Sequence, residues 1–173
     1  QFVEQVTELS KSVVVGEPSN SATTMGPLIS AAQRDNVERS VQLGVDEGSK
    51  LVFGGRRPAH LKKGFYFEPT FFNDVDNRSS IGQEEVFGPV GCVIGFDSDE
   101  EAIALANDSK FGLRAGVMSA DTGLAYEIAQ QLRAGQVLIN GGSLTALSDS
   151  PFGGFKRSGY GRENGDEGFL AYT

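Results

Sequence analysis

Apolar and polar segments alternate along the middle of the chain in a pattern that few folds accommodate. Short apolar runs at 90–96, 114–119 and 136–140 are typical of buried strands. The segments between them, 97–107 and 121–132, begin with acidic or hydroxyl side chains that suit helix N-termini. This succession predicts βαβ units, in which the strands run parallel. We therefore expect an α/β fold with three αβα layers and a mostly parallel sheet.

The first half of the chain predicts two further helices. Apolar residues recur at helical spacing over 1–13, and a second helix is expected from the N-cap residue Ser30 to about Glu47. Extended structure is predicted at 50–55 and 65–72.

Composition limits the class of protein. A formal net charge of −8 disfavours nucleic acid and anionic membranes as partners, and no apolar run approaches the roughly 20 residues of a membrane span. The single cysteine cannot form an internal disulfide, which favours a reducing, cytoplasmic setting. The length of 173 residues suits a single domain, residues 1–173.

The lone thiol and the lone imidazole are weak candidates for catalysis. Cys92 lies within the apolar run 90–96, where burial raises a thiol pKa, so we expect a core residue and no nucleophile. His60 lies in a basic, polar loop and is expected to be solvated. One Cys and one His cannot supply the three or four protein ligands of a zinc site, so no metal is expected.

Two carboxylates and an aromatic ring come directly before the strand predicted at 90–96. Polar groups at the mouth of such a strand are where an open α/β sheet places ligand contacts. Adjacent residues of an extended segment point to opposite sides, so at most one of Glu84 and Glu85 faces a given site. The alternative is a solvated pair at an ordinary turn.

Residues 150–163 contain four glycines and show no periodicity. A loop of this length in a compact domain is usually functional or disordered, and its aromatic residues favour an ordered one. Gly159 and Gly161 are followed by Gly165, one residue too far for G-x-G-x-x-G, and no predicted strand leads into them. A standard phosphate-binding motif is therefore not expected.

Two motifs resemble those of the NAD(P)-dependent aldehyde dehydrogenase superfamily. Residues 84–90, Glu-Glu-Val-Phe-Gly-Pro-Val, are similar to the family's E-E-[IV]-F-G-P-V, and residues 151–163 resemble P-F-G-G-x-K-x-S-G-x-G-R-E. Segments 26–29, 107–113 and 135–140 follow the family's order. The resemblance covers essentially the whole chain. It implies most of a catalytic domain, in the C-terminal third of a full-length enzyme.

The resemblance implies roles for five residues. Glu85 matches the glutamate that hydrogen-bonds the nicotinamide ribose, and Phe87 matches the ring that packs near the nicotinamide. Gln33 aligns with a residue near the adenosine end of the cofactor. Phe152 matches an aromatic residue of the aldehyde pocket, and Glu163 a glutamate sometimes placed in a proton path.

The same resemblance implies that the nucleophilic cysteine and the general base lie in preceding segments, so no catalytic residue is expected in this chain. The full-length parent is expected to oxidise an aldehyde with NAD or NADP, to carry an upstream cofactor-binding domain and to form a dimer or tetramer. The isolated chain is expected to be inactive. The alternative is a non-catalytic scaffold or assembly module that retained the fold.

Residues 141–149 depart from many relatives because they contain no aromatic side chain. The corresponding loop of the family feeds the substrate tunnel. We therefore expect a wider pocket that takes medium or bulky aldehydes.

Overall fold

A computed structural model of the chain describes residues 1–141 and 148–173, and it has the expected α/β class. The chain divides into two compact units, Gln1–Gly95 and Phe96–Thr173. The first unit contains one three-stranded sheet, and the second unit contains two separate two-stranded sheets. The single domain expected from the sequence stays a prediction. Within the described ranges, no helix combines the length and apolar character needed to cross a membrane.

The first unit contains both helices predicted in the first half of the chain, α1 (Phe2–Lys11) and α2 (Ala31–Asp46). The hydroxyl of Ser30 accepts a hydrogen bond from the backbone N–H of Gln33 at 3.1 Å, so the predicted N-cap is confirmed. A further short helix, α3 (Ser80–Gln83), was not predicted, because four residues are too few to show periodicity.

The sheet of the first unit has three strands in the order β1 (Lys50–Phe53), β2 (Thr70–Asn73) and β3 (Val90–Cys92). β1 and β2 are antiparallel, and β2 and β3 are parallel. In this described sheet β3 therefore has a neighbour on one side only. The strand expected over 90–96 ends early, and Phe96 is 57 % exposed.

The core of the first unit joins α2 to the sheet and to α3. Its buried side chains come from α2, from α3, from β2 and from the segments on either side of β2. They are Val37, Val41, Phe67, Phe72, Val75 and Ile81. Val86 and Val90 pack against this cluster. Burial of such a side chain contributes about 1.5–3 kcal/mol. Segment 84–90 is therefore anchored to the core at two apolar positions.

The second unit contains the predicted parallel βαβ arrangement. Its parts are β5 (Arg114–Val117), α5 (Thr122–Ala129) and β6 (Gln136–Ile139), and β5 pairs with β6 in parallel. The carboxylate of Asp121 caps α5 by accepting from the backbone N–H of Leu124 at 3.0 Å. The sequence pattern is thus confirmed for this part of the fold.

The remaining elements of the second unit are α4 (Asp99–Asn107), β4 (Phe111–Gly112), β7 (Phe155–Lys156) and α6 (Gly165–Leu170). β4 and β7 form an antiparallel pair. Because β7 lies inside the glycine-rich segment 150–163, this pairing holds the segment against β4. The order expected for that segment is confirmed.

Candidate functional site

The loop between α3 and β3, residues 84–89, carries two of the predicted site residues. Glu85 and Phe87 are both exposed, and 71 % of Phe87 is accessible. Val86 between them is half-buried against the core. The 84–89 loop thus presents an acid and an aromatic ring outward while its apolar residue fixes it from behind.

The backbone of Phe87 has φ = 50°, in the left-handed region that favours glycine. A bulky residue in this region costs about 1–3 kcal/mol and persists only where its surroundings impose it. Such strain concentrates at sites of function, where an exposed side chain must be held in a fixed direction. Phe87 therefore requires contacts that hold its backbone.

Gln33 on α2 supplies one of those contacts. Its side-chain Nε2 donates to the carbonyl oxygen of Val86 at 3.1 Å and to that of Phe87 at 2.9 Å. The resemblance implied that Gln33 lies near the adenosine end of the cofactor, and this role stays a prediction. What the structure adds is a direct connection between α2 and the 84–89 loop.

Gly88 supplies the second contact. A Cβ atom built on Gly88 would meet the side chain of Val37, which is fully buried. Gln33 and Val37 are four residues apart on α2 and thus lie on one face of the helix. One helix face therefore contacts three consecutive residues of the loop, Val86, Phe87 and Gly88.

A mostly apolar groove of about 500 Å³ adjoins the loop at Gly88 and Pro89. It is lined further by Val6, Leu9 and Phe71. A second cavity in the same unit, of about 570 Å³, is lined by β1 and does not include the loop. The groove is the more relevant of the two because it reaches the loop that carries the predicted site residues.

Cys92 is exposed, so the prediction of a core cysteine is wrong. It is the last residue of the short edge strand β3, and its side chain does not belong to the core cluster that covers the sheet. Its thiol donates to the carbonyl of Ile81 at 3.5 Å, and partial burial of the sulfur raises the pKa of the thiol. His60 is exposed, as predicted, on the wall of the 570 Å³ cavity.

In the second unit, Phe152 and Glu163 lie opposite each other. Each backbone N–H donates to the other residue's carbonyl at 2.7 Å. The half-buried ring of Phe152 lies 5.6 Å from the guanidinium carbon of Arg114, whose NH2 group donates to Oε1 of Gln136 at 2.7 Å. The structure thus brings together two residues that the sequence analysis treated separately, and adds Arg114 to them.

The glycines of segment 150–163 permit close backbone packing. A Cβ on Gly135 would overlap the carbonyl oxygen of Gly153, and a Cβ on Gly153 would overlap the carbonyl oxygen of Gly161. Three chain segments therefore approach one another at distances that only glycine permits. This packing accounts for these glycines without a nucleotide.

The expectation of a wide substrate pocket concerns residues 141–149, of which 142–147 lie outside the described residues. In the part of the chain that the structure describes, no three His, Cys, Asp or Glu side chains cluster in a way that suits a metal ion.

Sequence reasoning missed the connection between α2 and the 84–89 loop. A signal was present in the N-cap Ser30 followed by Gln33 and Val37, which places an amide and an apolar side chain on one helix face. The partner of that face lies more than fifty residues away along the chain, at Val86–Gly88. Nothing in local periodicity indicates it.

Comparisons with known proteins agree on one family. The profile described as Aldehyde dehydrogenase family matches residues 1–173. The chain is 45 % identical to the betaine aldehyde dehydrogenase of Brucella melitensis biotype 2, covering 100 % of this chain and 36 % of that protein.

Two solved structures are similar throughout the chain. An aldehyde dehydrogenase of Mycobacterium tuberculosis complexed with NAD⁺ has a TM-score of 0.94 and 47 % identity, covering 99 % of this chain and 35 % of its own. A variant of aldehyde dehydrogenase C from Pseudomonas syringae, complexed with NAD⁺ and octanal, has a TM-score of 0.92 and 42 % identity, covering 98 % and 35 %. The chain thus spans about a third of the length of these relatives.

Proposed function

Since the chain belongs to the aldehyde dehydrogenase family, we propose that it forms part of an enzyme that oxidises an aldehyde to a carboxylic acid with NAD⁺ or NADP⁺. In this proposal Glu85 and Phe87 hold the nicotinamide end of the cofactor. The observation that carries it is the 84–89 loop, on which both side chains are exposed while Val86 and Gly88 pack inward. The NAD⁺ complexes of two similar structures favour NAD⁺.

The residues of the loop suit a nicotinamide nucleoside. An exposed carboxylate accepts hydrogen bonds from two neighbouring ribose hydroxyls, and such charge-assisted bonds are about twice as strong as neutral ones. The exposed ring of Phe87 offers an apolar surface for a flat heterocycle. When bound, the nicotinamide accepts the hydride of the oxidation. Glu85 and Phe87 orient it, and neither takes part in bond making.

Phe152 and Glu163 are proposed to serve the substrate side. The Phe152 ring lines the aldehyde pocket, and Glu163 contributes to a proton path. Their backbone pairing supports a shared position, because it fixes the two Cα atoms opposite each other. Medium or bulky aldehydes are the proposed substrates, and the octanal complex of a similar structure is consistent with this class.

The nucleophilic cysteine and the general base are proposed to belong to another part of the same enzyme. Cys92 is unsuited to nucleophilic attack, since its raised thiol pKa lowers the fraction of thiolate at neutral pH. On the order of its motifs we assign the chain to the C-terminal part of a longer enzyme with an upstream cofactor-binding domain. Sequencing the coding region on both sides tests this assignment.

The single cysteine is consistent with a cytoplasmic enzyme, and a homo-oligomer, dimer or tetramer, is proposed for the full-length protein. Large apolar side chains are exposed on the first unit, among them Phe2 at 65 % and Leu9 at 69 %. We propose that another domain or subunit covers them in the full-length protein.

The test compares the full-length enzyme with the isolated chain, using aldehydes of increasing length and NAD⁺. We expect the full-length enzyme to produce NADH and the isolated chain to produce none. NADH production by the isolated chain would contradict the proposal that the nucleophilic cysteine and the general base belong to another part of the enzyme. Lack of activity in the full-length enzyme with every aldehyde would instead favour a scaffold.

A further inference from the structure

One amide group connects α2 to the two carbonyls that flank the strained residue of the 84–89 loop. Nε2 of Gln33 carries two hydrogens, and it lies 3.1 Å from the carbonyl oxygen of Val86 and 2.9 Å from that of Phe87. Both donors of the side chain are therefore directed to the loop backbone. Only Oε1 remains for any other partner.

The geometry of the two bonds depends on the backbone of Phe87. In an extended segment successive carbonyls point in opposite directions, so one amide cannot reach both. A left-handed residue turns the two flanking peptide groups toward the same side, as in a turn of helix. With φ = 50° at Phe87, the carbonyls of Val86 and Phe87 face α2 together. The two hydrogen bonds thus depend on the left-handed conformation of Phe87, and they favour that conformation in turn.

The position of Gln33 is itself fixed. Its backbone N–H donates to the hydroxyl of the N-cap residue Ser30, which sets the first turn of α2. One turn further along, Val37 contacts Gly88 and belongs to the core. The Gln33 side chain therefore extends from a rigid helix to the loop.

We propose that Gln33 is a positioning residue: through the carbonyls of Val86 and Phe87 it holds the left-handed turn that directs Glu85 and Phe87 outward, and so sets the affinity for the nicotinamide nucleoside. The effect on affinity rests on the function proposed above. The effect on the conformation of the loop does not rest on that function, since it follows from the two hydrogen bonds alone.

Gln33→Glu distinguishes this role from direct contact with the cofactor. The substitution keeps the length of the side chain but replaces both donors by a carboxylate that faces two carbonyl oxygens. If Gln33 acted by accepting hydrogen bonds from cofactor hydroxyls, a carboxylate would bind them as well or better. If Gln33 acts through its donors, Gln33→Glu raises the cleavage rate of the loop and the KM for NAD⁺ more than Gln33→Met does, since methionine is neutral and of similar length.

The experiment uses the full-length enzyme with two measurements on each variant. The first, without cofactor, is the rate of cleavage after Glu84 or Glu85 by a glutamate-specific protease, mapped by mass spectrometry. The second is the KM for NAD⁺ beside the KM for the aldehyde. Gln42→Glu is the matched control, since Gln42 is an exposed residue of the same helix whose amide donates to Asp46.

For Gln33→Glu we expect cleavage to accelerate about fivefold or more, the equivalent of losing one ordinary hydrogen bond, and the KM for NAD⁺ to rise by a similar factor. The aldehyde KM and the Gln42→Glu control should stay within about twofold of the wild type, a margin well inside the effect of one such bond. Unchanged cleavage would overturn the proposal whatever the kinetics.

Two further outcomes separate the proposal from the function on which it rests. Faster cleavage with an unchanged KM for NAD⁺, while Glu85→Gln raises that KM, would show that Gln33 holds the loop but would overturn its proposed effect on affinity. An unchanged KM for NAD⁺ in both Gln33→Glu and Glu85→Gln would contradict the proposed function of the loop and, with it, the effect of Gln33 on affinity, whereas the cleavage rate alone decides whether Gln33 holds the loop.

Discussion

Gly88 lies so close to Val37 that a Cβ atom on the glycine would be 2.5 Å from Cγ2 of the valine. Val37 is fully buried in the core and cannot move aside freely. The contact therefore fixes the distance between α2 and the 84–89 loop.

We expect Gly88→Ala to lower the free energy of unfolding by about 1–3 kcal/mol, because it forces extra volume against a packed core. Denaturant unfolding of the chain measures the loss. Gly95→Ala is the matched control, since nothing lies within 4 Å of the position of its Cβ, and it should change stability by less than about 0.5 kcal/mol. Equal losses of unfolding free energy in the two variants would contradict the view that the close contact between Gly88 and Val37 causes the effect.

Thr70 holds the turn after β1 through its buried hydroxyl. The hydroxyl donates to the carbonyl of Glu68 at 2.8 Å and accepts from the N–H of Gly55 at 2.9 Å. We expect Thr70→Val, which keeps the shape but not the hydroxyl, to cost about 1–3 kcal/mol, because polar backbone groups lose their partner in a buried place.

Thr7→Val controls for the chemical change itself, and the same unfolding measurement applies. The hydroxyl of Thr7 donates to the carbonyl of Val3, four residues earlier in α1. That carbonyl also accepts the backbone hydrogen bond of the helix, so it keeps a partner when the hydroxyl is removed. A loss at Thr7 as large as that at Thr70 would refute the assigned role of the Thr70 hydroxyl.

Cys92 should be accessible but slow to react. Because partial burial of the sulfur raises the pKa of the thiol, we expect labelling by a thiol reagent to be slower than for free cysteine at neutral pH and to accelerate as the pH rises. In the full-length enzyme, Cys92→Ser should leave kcat within about twofold, since even one lost general acid–base contribution costs a hundredfold or more. Loss of activity in this variant would mean that Cys92 takes part in catalysis.

Asp76 provides a test of the local electrostatics. Hydrogen bonds from the side chain and then the backbone of Arg78 lower the pKa of Asp76 to about 2 from an ordinary value of 3.8. A lowered pKa stabilises the fold above the ordinary value, and this contribution disappears as the pH falls through about 2. Both groups are exposed, so salt weakens the effect.

We expect an NMR titration to find the Asp76 midpoint near 2 and Arg78→Ala to shift it upward toward 3.8. Arg56→Ala, which removes a cation paired with Glu68 and not with Asp76, should leave it unchanged. An unshifted midpoint in Arg78→Ala would contradict the assignment.

Local signals in the sequence predicted much of the fold. Side-chain acceptors at Ser30, Ser98 and Asp121 mark helix starts that the structure confirms, and the pattern from Arg114 to Ile139 predicted the parallel βαβ unit. These predictions succeed because capping and periodicity involve residues close together along the chain.

Predictions failed where the answer depends on distant neighbours. The apolar run at 90–96 indicated a strand covered on both faces, but β3 ends at Cys92, whose side chain lies outside the core cluster and is exposed. Similarly, the hydrogen bonds of Gln33 to Val86 and Phe87 could not be predicted, because they join two segments that are more than fifty residues apart in the sequence. The roles of Glu85, Phe87, Phe152 and Glu163 stay predictions.

The central claim is that Glu85, and not its neighbour Glu84, holds the nicotinamide ribose, and the KM for NAD⁺ of the full-length enzyme tests it most directly. Glu85→Gln replaces the charged hydrogen-bond acceptor by a neutral amide. This change is expected to raise the KM about tenfold, which corresponds to about 1.4 kcal/mol of binding free energy. Glu84→Gln makes the same change at the adjacent exposed position and should stay within about twofold of the wild type, far less than that loss. A tenfold effect at Glu84, or no difference between the two variants, would contradict the account.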